Sequence, residues 1–286
     1  MAIADFNKIY TLDLTTGELI WLGADDESTI NYNRSTPLDT YHFSHPFGLA
    51  IDKNDRMVVS NSYYHTVVDI NLSLRTVQCL AGKHNDGLSS SQGTLSYPYG
   101  VCFTSDGSII VSDLRNQCIK KISNNGHITK VAGLACDEGE ESSNIINADF
   151  EYPTFIVADP ITDDIYVRDG CSLRVISNGT IETLYINPIG DIKGLALDSR
   201  GNLYFVVEDV YSDGICKMYI KGEHQRHIVR LHLDPQFDNI GALHFCEKNN
   251  SEGGPCLYAG GVLKGYEDHN SDNATLESLV RIELPN

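Results

Sequence analysis

The sequence predicts an all-β fold, a β-propeller of four-stranded blades, with six blades the reading adopted and five the alternative. Three observations predict it. Short runs rich in Val, Ile, Leu and Tyr recur along the 286 residues and are bounded by Gly-containing turns. The runs come in groups of four, and the groups repeat about every 40–55 residues, as propeller blades do. No stretch carries helical periodicity of useful length. One four-stranded sheet cannot cover both its faces, so it needs neighbours like itself, and radial closure leaves only short protected edges.

The elements follow in order. Residues 8–14 and 18–23 flank a turn at 15–17, and residues 1–5 add one short strand before them, making a partial unit. The first full unit has strands at 46–52, 57–61, 66–70 and 76–82. The second, residues 98–133, is the clearest, because Asp106-Gly107 and Asn125-Gly126 mark tight hairpin turns between its strands. A third begins at Pro153 and continues through 164–168, 172–176 and 180–184. A fourth has runs at 194–198, 202–207, 215–219 and 227–231. A weaker fifth has 241–245, 256–260 and 279–284. Partial units at the two ends suit a ring in which amino-terminal strands complete or abut the last blade.

The motif in residues 98–133 is Pro-Tyr-Gly-Val, then a Gly turn, then Ile-Ile-Val-Ser-Asp-Leu-Arg-Asn, then a strand ending Val-Ala-Gly. It resembles the NHL repeat. Residues 46–82 follow the same pattern, with Asn61 where the family has Asp. Residues 153–184 and 194–231 depart from it: Phe155 replaces the Gly, and no Asn follows Asp169 at the expected place. The resemblance implies a single propeller over residues 1–286. It implies no single activity, because the family includes binding platforms and a metal-dependent lyase type, and fold alone does not settle function.

Composition narrows the partners. With 21 basic and 39 acidic side chains the net charge is −18, which repels phosphate. Nucleic acid and anionic membrane surfaces are therefore not expected partners. No apolar run reaches the ~20 residues of a membrane helix. The start lacks the layout of a signal peptide, which favours a soluble cytoplasmic protein, with secretion after removal of a leader as the alternative. None of the eight cysteines forms a Cys-x-x-Cys pair, and Cys79, Cys102 and Cys118 fall within predicted strands. They read as reduced core thiols. Disulfides in a secreted protein are the other reading, towards which the sequons at Asn33, Asn71, Asn178, Asn249 and Asn273 point.

Loop length points to one functional face. First-to-second and third-to-fourth turns are short apart from 247–255, whereas second-to-third loops and inter-blade connections hold the long insertions at 24–45, 83–97, 134–152, 208–214 and 262–278. Residues 134–152 carry six carboxylates, Glu138, Glu140 and Glu141 among them, and no base. Segments 24–45, 208–214 and 262–278 each have a net charge of −3. An acidic face of this kind steers a basic protein or peptide. The expected contact residues are Tyr63, Tyr64, His65, Arg115, Tyr152 and Arg168 with those three glutamates, and Tyr97 and Tyr99 are further candidate anchors, since Tyr and Arg are enriched in binding hot spots. Arg115 and Asp113 also have a structural reading, as parts of the repeat's Asp-x-x-Asn segment that ties second and third strands together.

The expected function is a non-enzymatic, monomeric interaction module that holds no cofactor. The alternative is a metal-dependent lyase or hydrolase at the channel mouth, of the amidating-lyase or gluconolactonase type that the resemblance allows. Zinc would need His45, His65 and His244 to converge, yet they occupy inequivalent places in their repeats. Calcium would need channel carboxylates. Asp52, Asp159 and Asp198 end first strands and read as serving the adjoining turns. Phosphate cradles and Gly-x-Ser-x-Gly elbows are absent as local patterns. A spacer domain within a longer polypeptide is a third reading.

Overall fold

The computed structural model describes residues 2–5, 8–13, 16, 18–23, 35–52, 54, 56–82, 95–133, 148–209, 213–221, 225–231, 237–246, 255–263 and 278–284. Two compact units are distinguished: Met1–Asp164 with Ser177–Ile181, and Ile165–Ile176 with Glu182–Asn286.

The first unit opens with an antiparallel sheet of β1 (Ala2–Asp5), β2 (Lys8–Leu12) and β3 (Leu19–Leu22). Next come β4 (Thr36–Pro37), β5 (Pro46–Ile51), β6 (Arg56–Asn61), β7 (Thr66–Asn71) and β8 (Thr76–Gly82), in the order β4-β8-β7-β6-β5. A four-stranded sheet follows from β9 (Pro98–Phe103), β10 (Ile109–Asp113), β11 (Cys118–Ile122) and β12 (Ile128–Ala132), ordered β12-β11-β10-β9. Strand β13 (Pro153–Ala158) completes the unit.

Successive strand residues point to opposite faces, and here both faces are buried. On β6, Met57 and Val59 enter a core with Ile9, Leu22, Val68 and Ile70. Val58, between them, enters another with Val67, Val101, Ile109 and Val111. Sheets buried on both sides need continuous apolar runs, which is why the sequence reads Met-Val-Val and Ile-Ile-Val rather than alternating.

Sheet-to-sheet contact explains the Pro-x-Gly motif. A Cβ on Gly48 would lie 2.3 Å from the Tyr99 carbonyl oxygen, and one on Gly100 would lie 2.3 Å from that of Thr154. Only glycine lets the next first strand approach so closely. A serine completes each contact. Ser60 Oγ accepts from Gly48 N–H (2.7 Å) and donates to the Tyr99 carbonyl (2.5 Å). Ser112 Oγ accepts from Gly100 N–H (2.8 Å) and donates to the Thr154 carbonyl (2.5 Å).

One expectation is corrected. Residues 24–45 read as an irregular surface insertion, but 35–45 are largely structural. Strand β4 covers the outer edge of β8, Thr36 opposite Val77. Leu38, Tyr41 and Phe43 are at most 2% exposed and belong to the first core. A covered edge resists pairing with another chain, and Pro37 ends the pairing.

The second unit holds β14 (Ile165–Asp169) and most of β15 (Ser172–Ser177) and β16 (Thr180–Ile186). It continues with a sheet of β17 (Ile192–Leu197), β18 (Leu203–Val207), β19 (Gly214–Met218) and β20 (Ile228–Arg230) in sequential order. The last sheet has β21 (Phe237–Cys246), β22 (Cys256–Leu263) and β23 (Ser278–Glu283), also sequential. Ala196, Tyr204, Val206 and Ile215 pack against Ile240, Leu257 and Ala259. Strand β21 is longer than the run at 241–245 predicts and carries two register shifts.

Candidate functional site

In the first unit, the loop after each second strand closes on the segment that enters the first strand of a sheet. Short 3-10 turns, Ser62–Tyr64 and Leu114–Asn116, follow β6 and β10. Ser62 and Tyr63 N–H donate to the carbonyls of His45 and Ser44, and Leu114 and Arg115 N–H donate to those of Tyr97 and Ser96. A side chain braces each entry. Asn61 Oδ1 accepts from Ser44 N–H (2.7 Å), and Asp113 Oδ1 accepts from Ser96 N–H (2.6 Å). Asn61 thus does the work of the family's Asp.

This bracing gathers aromatic side chains. The His45 and Tyr63 rings lie 5.6 Å apart, Tyr63 and Tyr64 6.3 Å apart, and His42 and Tyr64 6.4 Å apart. His65 meets Tyr97 edge-on at 4.7 Å, and the Arg115 guanidinium stacks over the Tyr97 ring at 4.0 Å. Tyr97 N–H donates to His65 Nδ1 (3.0 Å), which fixes that nitrogen as an acceptor. His45, His65 and Tyr97 hold φ of 51°, 57° and 53°. Left-handed backbone is uncommon for such residues and gathers at ligand-contacting places. It is notable at His45 and Tyr97, because a following proline favours extended backbone. Alongside, Phe47 stacks on Tyr99 (4.3 Å, 12°), which meets Phe155 edge-on (5.6 Å, 77°). Phe47 is 48% exposed, Tyr63 52% and Tyr152 60%.

The structure brings Tyr63, Tyr64, His65 and Arg115 into this cluster; Tyr152 is exposed, and the carbonyl of Glu151 before it accepts from Gln117 Nε2 (3.4 Å). Arg168 lies in the second unit, its side chain 11% exposed and paired with Asp191 at 2.9 Å. Glu138, Glu140 and Glu141 lie outside the described residues. Sequence reading missed His42, His45 and Phe47 as contact residues, while Tyr97 and Tyr99 are among the anchors it names. A signal was present: His45, Tyr97 and Tyr152 each precede the proline that opens a first strand.

The remaining candidates have structural duties. Asp113 is buried, with Lys120 Nζ at 3.1 Å and Asn116 Nδ2 at 2.8 Å. Burial pushes its carboxyl above the usual range, against the pull of Lys120. Asp52, Asp159 and Asp198 each accept backbone N–H bonds from their own turns, from Asn54 and Arg56, Ile161 and Thr162, and Arg200 and Asn202. In segment 208–214, Glu208 accepts from Asp191 N–H (3.0 Å), Asp209 pairs with Arg230 (2.9 Å), and Asp213 accepts from Ile240 N–H (2.7 Å). His244 is exposed on β21, opposite Tyr258. Among the described residues no three His, Cys, Asp or Glu cluster as a metal site, and no helix is long and apolar enough to cross a membrane.

These sheets define the protein class: the fold is that of a β-propeller carrying an NHL repeat, and residues 95–122 match the family model described as NHL repeat. Among curated proteins, Teneurin-1 from Caenorhabditis elegans is 24% identical over 169 residues, 57% of this chain. This chain spans only 6% of that relative's length. Among solved structures, a chain of the nidogen/laminin complex aligns with TM-score 0.56 and 15% identity, covering 91% of this chain and 84% of that one. A catalytically inactive virginiamycin B lyase from Staphylococcus aureus, solved with quinupristin, aligns with TM-score 0.54 and 15% identity over 88% and 70% of the two chains. A gluconolactonase from Xanthomonas campestris aligns with TM-score 0.50 and 13% identity over 76% and 69%. At these identities the likeness is one of fold.

Proposed function

We propose that the chain is a non-catalytic interaction module that takes a protein or peptide across the aromatic face of its first unit. One observation carries the reading: aromatics of two successive repeats, exposed Tyr63 and half-buried Tyr97 among them, sit on segments held by the same backbone bracing. Tyr and Arg on a rigid frame lose little entropy on binding and dominate interface energetics. The chain's charge adds direction. Segment 134–152, with six carboxylates, runs straight into Tyr152 and so favours a partner that mixes basic and apolar groups. The same charge disfavours nucleic acid. The nidogen/laminin complex, a protein assembly on a similar fold, is consistent with a protein partner.

Peptides selected on the purified chain from a random display library supply the probe. Tyr63→Ala and Arg115→Ala change exposed side chains, so the fold is expected to persist, as circular dichroism and the melting temperature would report. Each is expected to weaken peptide binding about 10-fold or more, the scale of an interface hot spot. Equal affinity for both variants would overturn the proposed face. Two of the similar structures are enzymes, so metal analysis of the purified chain tests the non-catalytic part: tightly held stoichiometric zinc or calcium would reverse it.

A further inference from the structure

Strands β21 and β22 pair antiparallel, and their last rung sets Cys246 directly opposite Cys256. Both are thiols in the structure. Facing Cα atoms of an antiparallel pair stand about 4.5 Å or 5.5 Å apart, depending on the kind of rung. A disulfide accepts Cα separations of about 4.4–6.8 Å, so either kind of rung suits one. Residues opposite each other project to the same face of the sheet, so the two Cβ atoms already point the same way. We propose that Cys246 and Cys256 are a redox pair whose cross-strand disulfide locks the β21–β22 hairpin.

The pair is distinctive among the described cysteines. Cys102 faces Ile110, Cys216 faces Phe205 and Arg230, Cys118 faces Asp113, and Cys79 faces Val68. None of these has another cysteine across its rung. Burial also pushes the thiols of Cys102 and Cys216 up to about 12 and about 11, leaving little thiolate to react. Cys246 is partly exposed, whereas Cys256 is 0% exposed, which orders the chemistry.

The oxidant is a small-molecule disulfide of the glutathione class. The Cys246 thiolate attacks one sulfur of that disulfide; the S–S bond breaks, one glutathione leaves as thiolate, and a mixed disulfide forms. The Cys256 thiolate then attacks Cys246 Sγ and displaces the second glutathione. Two protein thiols lose two protons and two electrons, and one disulfide becomes two thiols. The bond encloses residues 247–255 and restricts the unfolded chain. The hairpin is therefore locked where the compartment is oxidising and open where reduced glutathione prevails.

The test equilibrates the full chain in graded mixtures of reduced and oxidised glutathione, followed by intact mass and peptide mapping. The expected product has lost two hydrogens, links the peptides holding Cys246 and Cys256, and melts several degrees higher than the reduced chain. Cys246→Ser and Cys256→Ser should each abolish the linked peptide and the shift in melting. Because Cys256 is buried and its variant can misfold, Cys246→Ser decides the matter alone. Cys171→Ser, at an exposed cysteine, should change neither. A persistent glutathione adduct on Cys246 without the link, or a link that pairs either residue elsewhere, would overturn the proposal.

Discussion

At the scale of single residues, buried charge sets the largest expected effects. Asp113 and Lys120 have side chains 0% and 6% exposed and sit 3.1 Å apart. Removing one member of such a pair strands the other charge, which costs about 3–5 kcal/mol. Asp113→Ala should therefore lower the urea midpoint sharply, and Asp113→Ala with Lys120→Met should recover part of the loss. A fall below about 1 kcal/mol for the single variant would mean that Lys120 reaches water. Glu208 shows the opposite electrostatics. The Asp191 N–H and then Lys193 hold its carboxyl below the ordinary glutamate range. A carboxyl lowered by folding contributes stability above its unfolded pKa of about 4.3, and that contribution is lost as pH falls towards the folded value. Glu208→Gln should remove that part of the acid-side loss, read as a flatter dependence of melting temperature on pH below about 4.3. The side chain is 44% exposed, so solvent screening keeps the effect small.

Elements are held by repeated clasps of glycine and serine, and these make the sharper structural prediction. Gly100→Ala would drive a methyl to 2.3 Å from the Thr154 carbonyl; overpacking against backbone costs about 3 kcal/mol. Ser112→Ala loses two bonds and leaves buried polar groups unpaired, for about 1–3 kcal/mol. Gly241→Ala is the control, since an added Cβ there meets nothing within 4 Å. Denaturant midpoints that rank the three otherwise would remove the clasp. Much of this level is legible in sequence because its signals are local. Asp106-Gly107 and the first-strand aspartates each act within a few residues of themselves, and Pro-x-Gly is legible because it repeats, although its glycine serves a contact with the next sheet. What escaped is tertiary. Leu38, Tyr41 and Phe43 follow no strand period, so their burial shows only once β4 is seen on β8. The left-handed backbone at His45 and Tyr97 runs against the preference before proline, and bonds from the 3-10 turns impose it. Tyr63, Tyr64 and His65 are legible in sequence because the equivalent loop of the next repeat, Leu114-Arg115-Asn116, is not aromatic. Arg168 reads from sequence as a contact residue, and its pairing with Asp191, the residue before β17, is a relation distant in sequence that no motif encodes.

For the molecule as a whole, charge is the quantity that matters, and its placement along the chain is uneven. Segments 24–45, 134–152, 208–214 and 262–278 carry net charges of −3, −6, −3 and −3 within a total of −18. The structure changes the meaning of one of them, because the carboxylates of 208–214 are engaged by Asp191 N–H, Arg230 and Ile240 N–H and so are structural partners. The acidic run at 137–141 is the densest remaining cluster of carboxylates in the sequence. Exposed charges are screened over about 8 Å at physiological ionic strength, so they act chiefly on encounter with a partner. Glu138→Lys, Glu140→Lys and Glu141→Lys together change the net charge by six units. For a basic peptide selected on the unaltered chain, the triple variant should slow association about 10-fold at low salt. It should also flatten the fall in association rate between about 0.05 and 0.2 M salt, while dissociation changes little. Stopped-flow traces at several salt concentrations separate the two rates. If dissociation rather than association carried the change, these glutamates would be direct contacts and the steering account would fail. If neither rate moved, the aromatic face would bind without help from the acidic run.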